Sequence, residues 1–143
     1  MLIEVRVKVT RIIDAKKRKK LETYILNKSF FSEAEYKVTE ILNTQHDEGT
    51  IDSFEIQSLK LSTIKEIADQ YEGQYSFLAT LKDIYHDDNG NEKSIRYKVL
   101  LWANDLTSAT HNARELQRQG YDMQIEGLKE VDYTYIKENE QDN

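Results

Sequence analysis

The stretch Gln74–Ala103, QYSFLATLKDIYHDDNGNEKSIRYKVLLWA, predicts a long β-hairpin around which the rest of the chain can be placed. Apolar and more polar residues alternate on both arms, and a period of two means that one face of each strand is buried. Between the arms lies Asn89-Gly90, a dipeptide that favours a type I′ turn because both central residues need positive φ. The sequence therefore predicts two antiparallel strands joined at this turn.

The region before this hairpin predicts further strands. The segment Asp14–Lys20 breaks the alternation between the first two and predicts a hairpin tip. In the third, the apolar phase shifts near Gln57 or Ser58, which indicates a β-bulge. The predicted strands are Ile3–Thr10, Leu21–Phe30 and Ile51–Leu61.

Two amphipathic helices follow the two hairpins. Ser32 and Glu35 form a capping box for the first, and Asn104, Asp105 or Thr107 caps the second, which Gly120 stops. Their apolar residues recur at helical spacing, which predicts one buried face on each helix. The buried stripes are Ala34, Val38, Ile41 and Leu42 in the first helix, and Leu106, Ala109, Ala113 and Leu116 in the second.

The order strand, strand, helix, strand occurs twice, which predicts an α+β fold made by tandem duplication of a ββαβ unit. The units are residues 1–61 and 74–136, joined by a linker helix at 62–73 and followed by a polar tail at 137–143, in one compact domain overall. Ala34 and Val38 recur 75 positions later as Ala109 and Ala113. Tyr121–Ile136 is expected to form the last strand, with a bulge or bend at Gly127. Within each mainly antiparallel sheet the expected strand order is 2-1-3, with the helix on one face.

Composition excludes several classes of protein. Of 143 residues, 38% are hydrophobic and 32% charged, so the chain can bury a core. No apolar run is long enough to cross a membrane, and the alternating N-terminal stretch has no export signal, so we expect a cytoplasmic protein. Because cysteine is absent, disulfides and thiolate zinc sites are excluded. A net charge of −6 argues mildly against a protein-wide nucleic-acid surface.

No motif in the sequence indicates catalysis. His46, His86 and His111 have no metal-ligand spacing, and the acidic residues before Gly90 do not fit a calcium loop. No glycine-rich phosphate loop or nucleophile elbow is present. The sequence therefore predicts a protein that is not an enzyme, with no cofactor, no metal and no small-molecule ligand.

The sharpest charge feature is the run at the predicted hairpin tip. Such a run could contact phosphate groups of nucleic acid or another anion, or it could be a solvated turn that keeps a sheet edge soluble. The residues of the run are Lys16, Lys17, Arg18, Lys19 and Lys20.

Aromatic residues on the predicted strands form a second candidate surface. Aromatic side chains on a sheet can stack unpaired bases, although they more often pack against another sheet or a partner protein. Trp102 lies on the opposite parity from Tyr97, so it is expected to face a second layer or a subunit. The candidate interface aromatics are Tyr75, Tyr97, Trp102, Tyr133 and Tyr135.

Three short segments carry a resemblance to a known family: Ser29–Glu35 at the first helix entry, Asn89–Lys93 at the central turn and Leu100–Leu106 at the second helix entry. These segments resemble an uncharacterised family of proteins of similar length from Bacteroidetes bacteria and their phages and mobile elements. The sequence departs from the family at both repeat starts, where Arg6-Val7-Lys8 and Tyr75-Ser76-Phe77 replace an aromatic-x-x-Lys pattern. The resemblance implies the fold and carries no established activity.

The function expected from these features is that of a small, non-enzymatic binding module that acts through protein–protein contacts or self-association. The alternative is a single-stranded nucleic-acid-binding protein that uses the basic run and the sheet tyrosines. A third possibility is an acidic inhibitor that mimics nucleic acid, although a charge of −6 is modest for that role.

Overall fold

A computed structural model describes residues 1–118 and 123–138 of the chain. Within these ranges there are eight strands and two helices, in the order β1 Leu2–Ile13, β2 Lys16–Asn27, α1 Phe31–Asp47, β3 Ile51–Leu61, β4 Ile64–Ala68, β5 Tyr75–His86, β6 Glu92–Ala103, α2 Leu106–Arg118, β7 Met123–Val131 and β8 Tyr133–Ile136. The fold is α+β, as the sequence predicts, with two mainly antiparallel sheets.

The first unit is a four-stranded sheet in the order β3-β1-β2-β8 with α1 on one face. β1 pairs antiparallel with both β2 and β3, which confirms the expected 2-1-3 order, and β8 adds in parallel beside β2. Alternate residues of the strands and one stripe of the helix form the core. Its fully buried members include Ile3, Val5, Val7, Val9, Leu26, Ala34, Val38 and Leu42.

The second unit repeats this arrangement in the order β4-β6-β5-β7, with α2 on one face. β5 pairs antiparallel with β6 and β7, and β4 adds in parallel beside β6. The core again joins alternate strand residues to the helix stripe. Its members include Phe77, Ala79, Leu81, Val99, Leu101, Ala109, Ala113 and Leu116.

Each ββαβ unit, β1-β2-α1-β3 or β5-β6-α2-β7, is followed in the chain by a short strand that pairs in the other sheet. β4 follows β3 in the chain, yet it pairs with β6 of the second sheet. β8 follows β7, yet it pairs with β2 of the first sheet. The chain therefore exchanges one short strand in each direction.

The strand registers of the two units agree in detail. Val7 and Leu81 are equivalent positions, 74 apart, and each faces the first residue after a bulge, at Ile56 and Ile125. The bulges fall at Gln57, as the apolar phase shift predicts, and beside Gly127. A bulge inserts one extra residue on one strand only, so its recurrence at one place in both units indicates a common plan.

The segment 62–73 is not a helix, and this prediction was wrong. Ile64 and Ala68 are buried in a five-residue strand, β4, that pairs with Lys98–Leu101. The spacing of Ile64, Ile67 and Ala68 fits a helix locally. Pairing with a distant strand overrides that local preference, which β-branched isoleucine supports only weakly. Tyr121–Ile136 is likewise not one strand: β7 and β8 are separate strands in different sheets, and residues 121 and 122 lie outside the described residues.

The two hairpin turns also differ from expectation. Asp14 and Ala15 have φ of 51° and 62° and join Ile13 to Lys16, so the first hairpin closes through a two-residue turn of the I′ kind. At the second hairpin only Gly90 has positive φ, so the expected I′ turn at Asn89-Gly90 is absent. There Asp87 organises a longer loop by accepting hydrogen bonds from the backbone N–H groups of Asn89 and Asn91.

The helix starts agree with the sequence in one case of two. Asp105 caps α2 by accepting the N–H of Ser108 at 2.7 Å, and the resulting hydrogen bonds lower the pKa of Asp105. α1 begins one residue before the expected cap, since Phe30 occupies the N-cap position without a side-chain hydrogen bond. Of the expected stripe, Ile41 is only half-buried and Leu42 is fully buried. Gly120 lies outside the described residues.

Gly73 is a position where glycine is required, which gives a test of the β4–β5 connection. A Cβ at Gly73 would lie 2.3 Å from the Cα of Ala103, whereas a Cβ at Gly127 would meet nothing within 4 Å. We expect Gly73→Ala to lower the free energy of unfolding by about 1–3 kcal/mol, because the backbone of β6 must move. Urea unfolding followed by circular dichroism measures the change. Gly127→Ala is the matched control, and equal losses in the two variants would contradict the close approach.

Candidate functional site

The basic run lies in strand β2 and not in a turn, because the hairpin closes earlier at Asp14-Ala15. Strand geometry divides the run between two faces of the sheet. Lys16, Arg18 and Lys20 pair with Ile13, Arg11 and Val9 on the helix side. On the opposite side, Lys17 pairs with Ile12 and Lys19 with Thr10. The run therefore forms two rows of cations and not one cluster.

The row opposite the helix belongs to a mixed basic and aliphatic surface, here called the basic hairpin face. It joins Lys17 and Lys19 of β2 to Lys8 of β1, because Lys8 pairs with Leu21 in the same register. All its members are exposed, and Leu21 is 56% exposed. The face consists of Lys8, Ile12, Lys17, Lys19 and Leu21. Lys8, Ile12 and Leu21 were missed by the sequence reasoning, although their alternation with Val7 and Val9 places Lys8 and Ile12 on this side.

Several cations of the first hairpin make no ion pair with the described residues. Lys17 lies 3.4 Å from Asp52, which is at a second register shift of β3 besides the one at Gln57, in an exposed ion pair. Lys8, Lys16, Arg18 and Lys19 make no ion pair within residues 1–118 and 123–138. Like charges on neighbouring strands repel one another, so an anionic partner would relieve an unfavourable interaction.

On the helix side, a part-buried network holds the hairpin against α1. Arg11 donates to Glu22 through Nε and, at 2.7 Å, through Nη2, and its Nη1 donates to Gln45 of α1 at 3.0 Å. The Tyr24 hydroxyl donates to the same carboxylate at 2.7 Å. Burial opposes the charge on Glu22, but the hydrogen bonds from Arg11 and Tyr24 prevail and lower its pKa. Burial and the Glu22 carboxylate raise the pKa of Tyr24.

Among the described residues, the outer edge of β2 is open along the whole basic run. β8 pairs with Thr23–Leu26 only, so within the described residues no strand covers β2 from Lys16 to Glu22. An uncovered edge presents unpaired backbone donors and acceptors that can hydrogen-bond an extended segment.

The candidate aromatics do not form one platform. Tyr75 and Tyr97 lie on the helix side of the second sheet, Trp102 lies on its other side, and Tyr133 and Tyr135 belong to β8 of the first sheet. The opposite parity of Trp102 and Tyr97 is thus confirmed. None of the five lies in the hairpin that carries the basic run, although Tyr133 and Tyr135 lie on β8 beside Thr23 and Ile25 of β2, past the end of the run.

A groove along α1 is a weaker candidate. It is lined by Lys28, Ser32, Glu33, Tyr36, Lys37 and Glu40. Two cations and two carboxylates alternate around it, so it offers no single sign of charge to a ligand. Within the described ranges no group of three or more histidine and acidic side chains is placed to hold a metal ion. Neither described helix has the length and apolar character needed to cross a bilayer.

The fold and the site define a class of protein: a duplicated α+β protein with exchanged strands, in which one hairpin carries cations and exposed aliphatic side chains. A family model for a domain of unknown function, DUF4494, matches residues 1–138, and the chain belongs to this family. Searches of curated proteins and of solved structures found no match.

The network around Glu22 gives a prediction about stability and pH. Because folding lowers the pKa of Glu22, its contribution is present above the unfolded pKa and is lost as pH falls through the folded pKa. We expect Glu22→Gln to cost about 1–3 kcal/mol at pH 7 and progressively less as pH falls below the unfolded pKa of about 4.3. Urea unfolding across this pH range measures the difference. Glu35→Gln, at an exposed position, is the control, and a cost for Glu22→Gln that did not vary with pH would contradict the assignment.

Proposed function

We propose that the chain is a small, non-enzymatic interaction module that binds a partner protein through the basic hairpin face. The observation that carries this proposal is that exposed aliphatic side chains lie on the same face as Lys8 and Lys19, which make no ion pair within the described residues. Ile12 and Leu21 of this face are 37% and 56% exposed, and they pair across the strands with Lys17 and Lys8.

The aliphatic side chains distinguish a protein partner from a nucleic acid. Protein interfaces bury apolar groups at their centre and keep charges at the rim. Single-stranded nucleic acid is bound by cations together with aromatic rings that stack on bases. The hairpin has the cations, but its exposed apolar residues are aliphatic. The partner's contact segment is therefore acidic with interspersed apolar residues.

The open edge of β2 supports an extended conformation for that segment. A strand added beside Lys16–Glu22 would continue the sheet beyond the position that β8 occupies. The carboxylates of such a strand would meet Lys16, Arg18 and Lys19, which make no ion pair within residues 1–118 and 123–138. Main-chain hydrogen bonds would supply affinity, and the charge pattern would supply specificity.

Nucleic-acid binding is the second candidate, and the same cations favour it. Lys8, Lys16, Arg18 and Lys19 could each contact a phosphate group, and such contacts release counterions and make affinity fall steeply with salt. We also propose that the protein acts inside the cell and is encoded by a Bacteroidetes bacterium, one of its phages or a mobile element. The genomic neighbourhood of the gene tests this setting.

Neutralising the basic run tests both candidates. We expect Lys16→Gln, Lys17→Gln and Lys19→Gln together to leave stability within about 0.5 kcal/mol of the wild type, because these side chains are exposed and repel one another. The same triple variant should lose binding to a fluorescent peptide of alternating glutamate and leucine, measured by anisotropy. The matched control, Lys65→Gln, Arg114→Gln and Lys129→Gln, removes the same charge from exposed positions of the second unit.

A second variant separates the two partners. The double variant Ile12→Ser with Leu21→Ser should weaken binding of the acidic peptide. It should leave binding of a labelled single-stranded oligonucleotide unchanged. If the oligonucleotide binds more tightly than the peptide and the basic triple variant reduces its salt slope by up to about three units, nucleic acid is the ligand. If the basic triple variant and its control behave alike with both probes, the hairpin is a solvated structural element and the proposal is wrong.

A further inference from the structure

The second hairpin carries an open edge of different character. β4 pairs with Lys98–Leu101 of β6, so within the described residues no strand covers β6 from Glu92 to Tyr97. Residues Glu92–Arg96 are all exposed, and Ile95 is 42% exposed. The equivalent edge of β2 consists mainly of lysine and arginine, whereas this one reads Glu-Lys-Ser-Ile-Arg.

The sequence of this edge is complementary to itself when it is read in the antiparallel direction. With Ser94 opposite Ser94 of a second copy, Glu92 stands opposite Arg96 and Lys93 stands opposite Ile95. Residues directly opposite each other in an antiparallel pair lie on the same face, so each Glu92 carboxylate meets an Arg96 guanidinium. Serine is small, so the centre of the pairing is free of steric conflict.

The local charges within one copy favour this arrangement. Arg96 Nε lies 2.7 Å from Glu126 Oε2, and Lys82 Nζ lies 3.8 Å from the other oxygen of the same carboxylate. Two cations thus share one anion on the face that also carries Glu92. A carboxylate from a second copy would balance the remaining positive charge.

The first hairpin shows what the edge looks like when self-pairing is blocked. Ser94 is equivalent to Lys19, which is 75 positions earlier. The same antiparallel register on β2 would place Lys19 against Lys19 and Arg18 against Lys20. Like charges directly opposite each other destabilise a strand pair, and natural proteins use lysine in this way to protect edges.

We propose that β6 forms a symmetric homodimer contact in which residues 92–96 of two copies pair as antiparallel strands centred on Ser94. The contact joins the second sheets of two copies into one continuous sheet. It does not involve the basic hairpin face, so the proposal is independent of the partner proposed for that face.

Sedimentation equilibrium of the full chain tests the contact directly. We expect reversible dimerisation with a dissociation constant of about 10–500 µM, a range that suits a small, weak interface. Ser94→Lys should weaken dimerisation about tenfold or more, since it brings two ammonium groups together at the symmetry axis. Asn89→Lys, which adds the same charge at an exposed turn residue, should leave the equilibrium unchanged.

Cross-linking gives a second measurement that does not depend on a disruptive variant. The chain has no cysteine, so Ser94→Cys introduces a single thiol. At the proposed symmetry axis this thiol should form an intermolecular disulfide under mild oxidation faster than the thiol of Ser53→Cys, at an exposed position of β3. A wild-type chain that stays monomeric throughout the range would overturn the proposal, as would equal cross-linking rates for the two cysteine variants.

Discussion

The structure depends on the backbone pairing of each sheet with the short strand that follows the other ββαβ unit in the chain. A three-stranded sheet with one helix has a thin core. β4 brings the buried Ile64 and Ala68 to the second sheet, and β8 brings Ile136 against the first core. Each borrowed strand also covers part of an edge, on β6 and β2, that would otherwise be open. Neither ββαβ repeat therefore completes its own sheet. The first sheet is complete only when Thr23 pairs with Tyr133, which is near the other end of the chain.

Local periodicity was sufficient to predict the six long strands' approximate positions, both helices and the bulge near Gln57, because each has a repeat or a phase shift that can be read within a few residues. It failed for β4. Ile64, Ile67 and Ala68 have helical spacing, and the partner that makes them a strand, Lys98–Leu101, is distant in sequence. The boundary at Asp132 was missed for the same reason: Val131 and Tyr133 belong to different sheets, yet only one residue separates them.

The sequence identified the cations of the candidate site but assigned them to the wrong place in the fold. The basic run was found because five adjacent cations are unusual, but it was assigned to a turn. The turn is fixed by the register of the buried residues, since Val5 must face Tyr24 and Ile3 must face Leu26, and this leaves only Asp14 and Ala15 to close the hairpin. Ala15 at positive φ is an uncommon choice that no dipeptide rule detects. Once the run lies in a strand, period two divides its charges between two faces, and the exposed aliphatic residues become part of the surface.

Comparison of the two repeats shows which parts of the plan are fixed and which are free. Positions covered by the helices remain apolar in both, as Val7 and Leu81 or Ala34 and Ala109 do. The distal halves of the hairpins extend beyond what the cores require, and there Lys19 corresponds to Ser94. A difference of this kind costs little stability because the side chains are exposed, but it decides what each edge can pair with. The cations of β2 oppose pairing of that edge with its own copy, so the dimer contact proposed for the second hairpin would leave the first hairpin open to the anionic partner proposed for it.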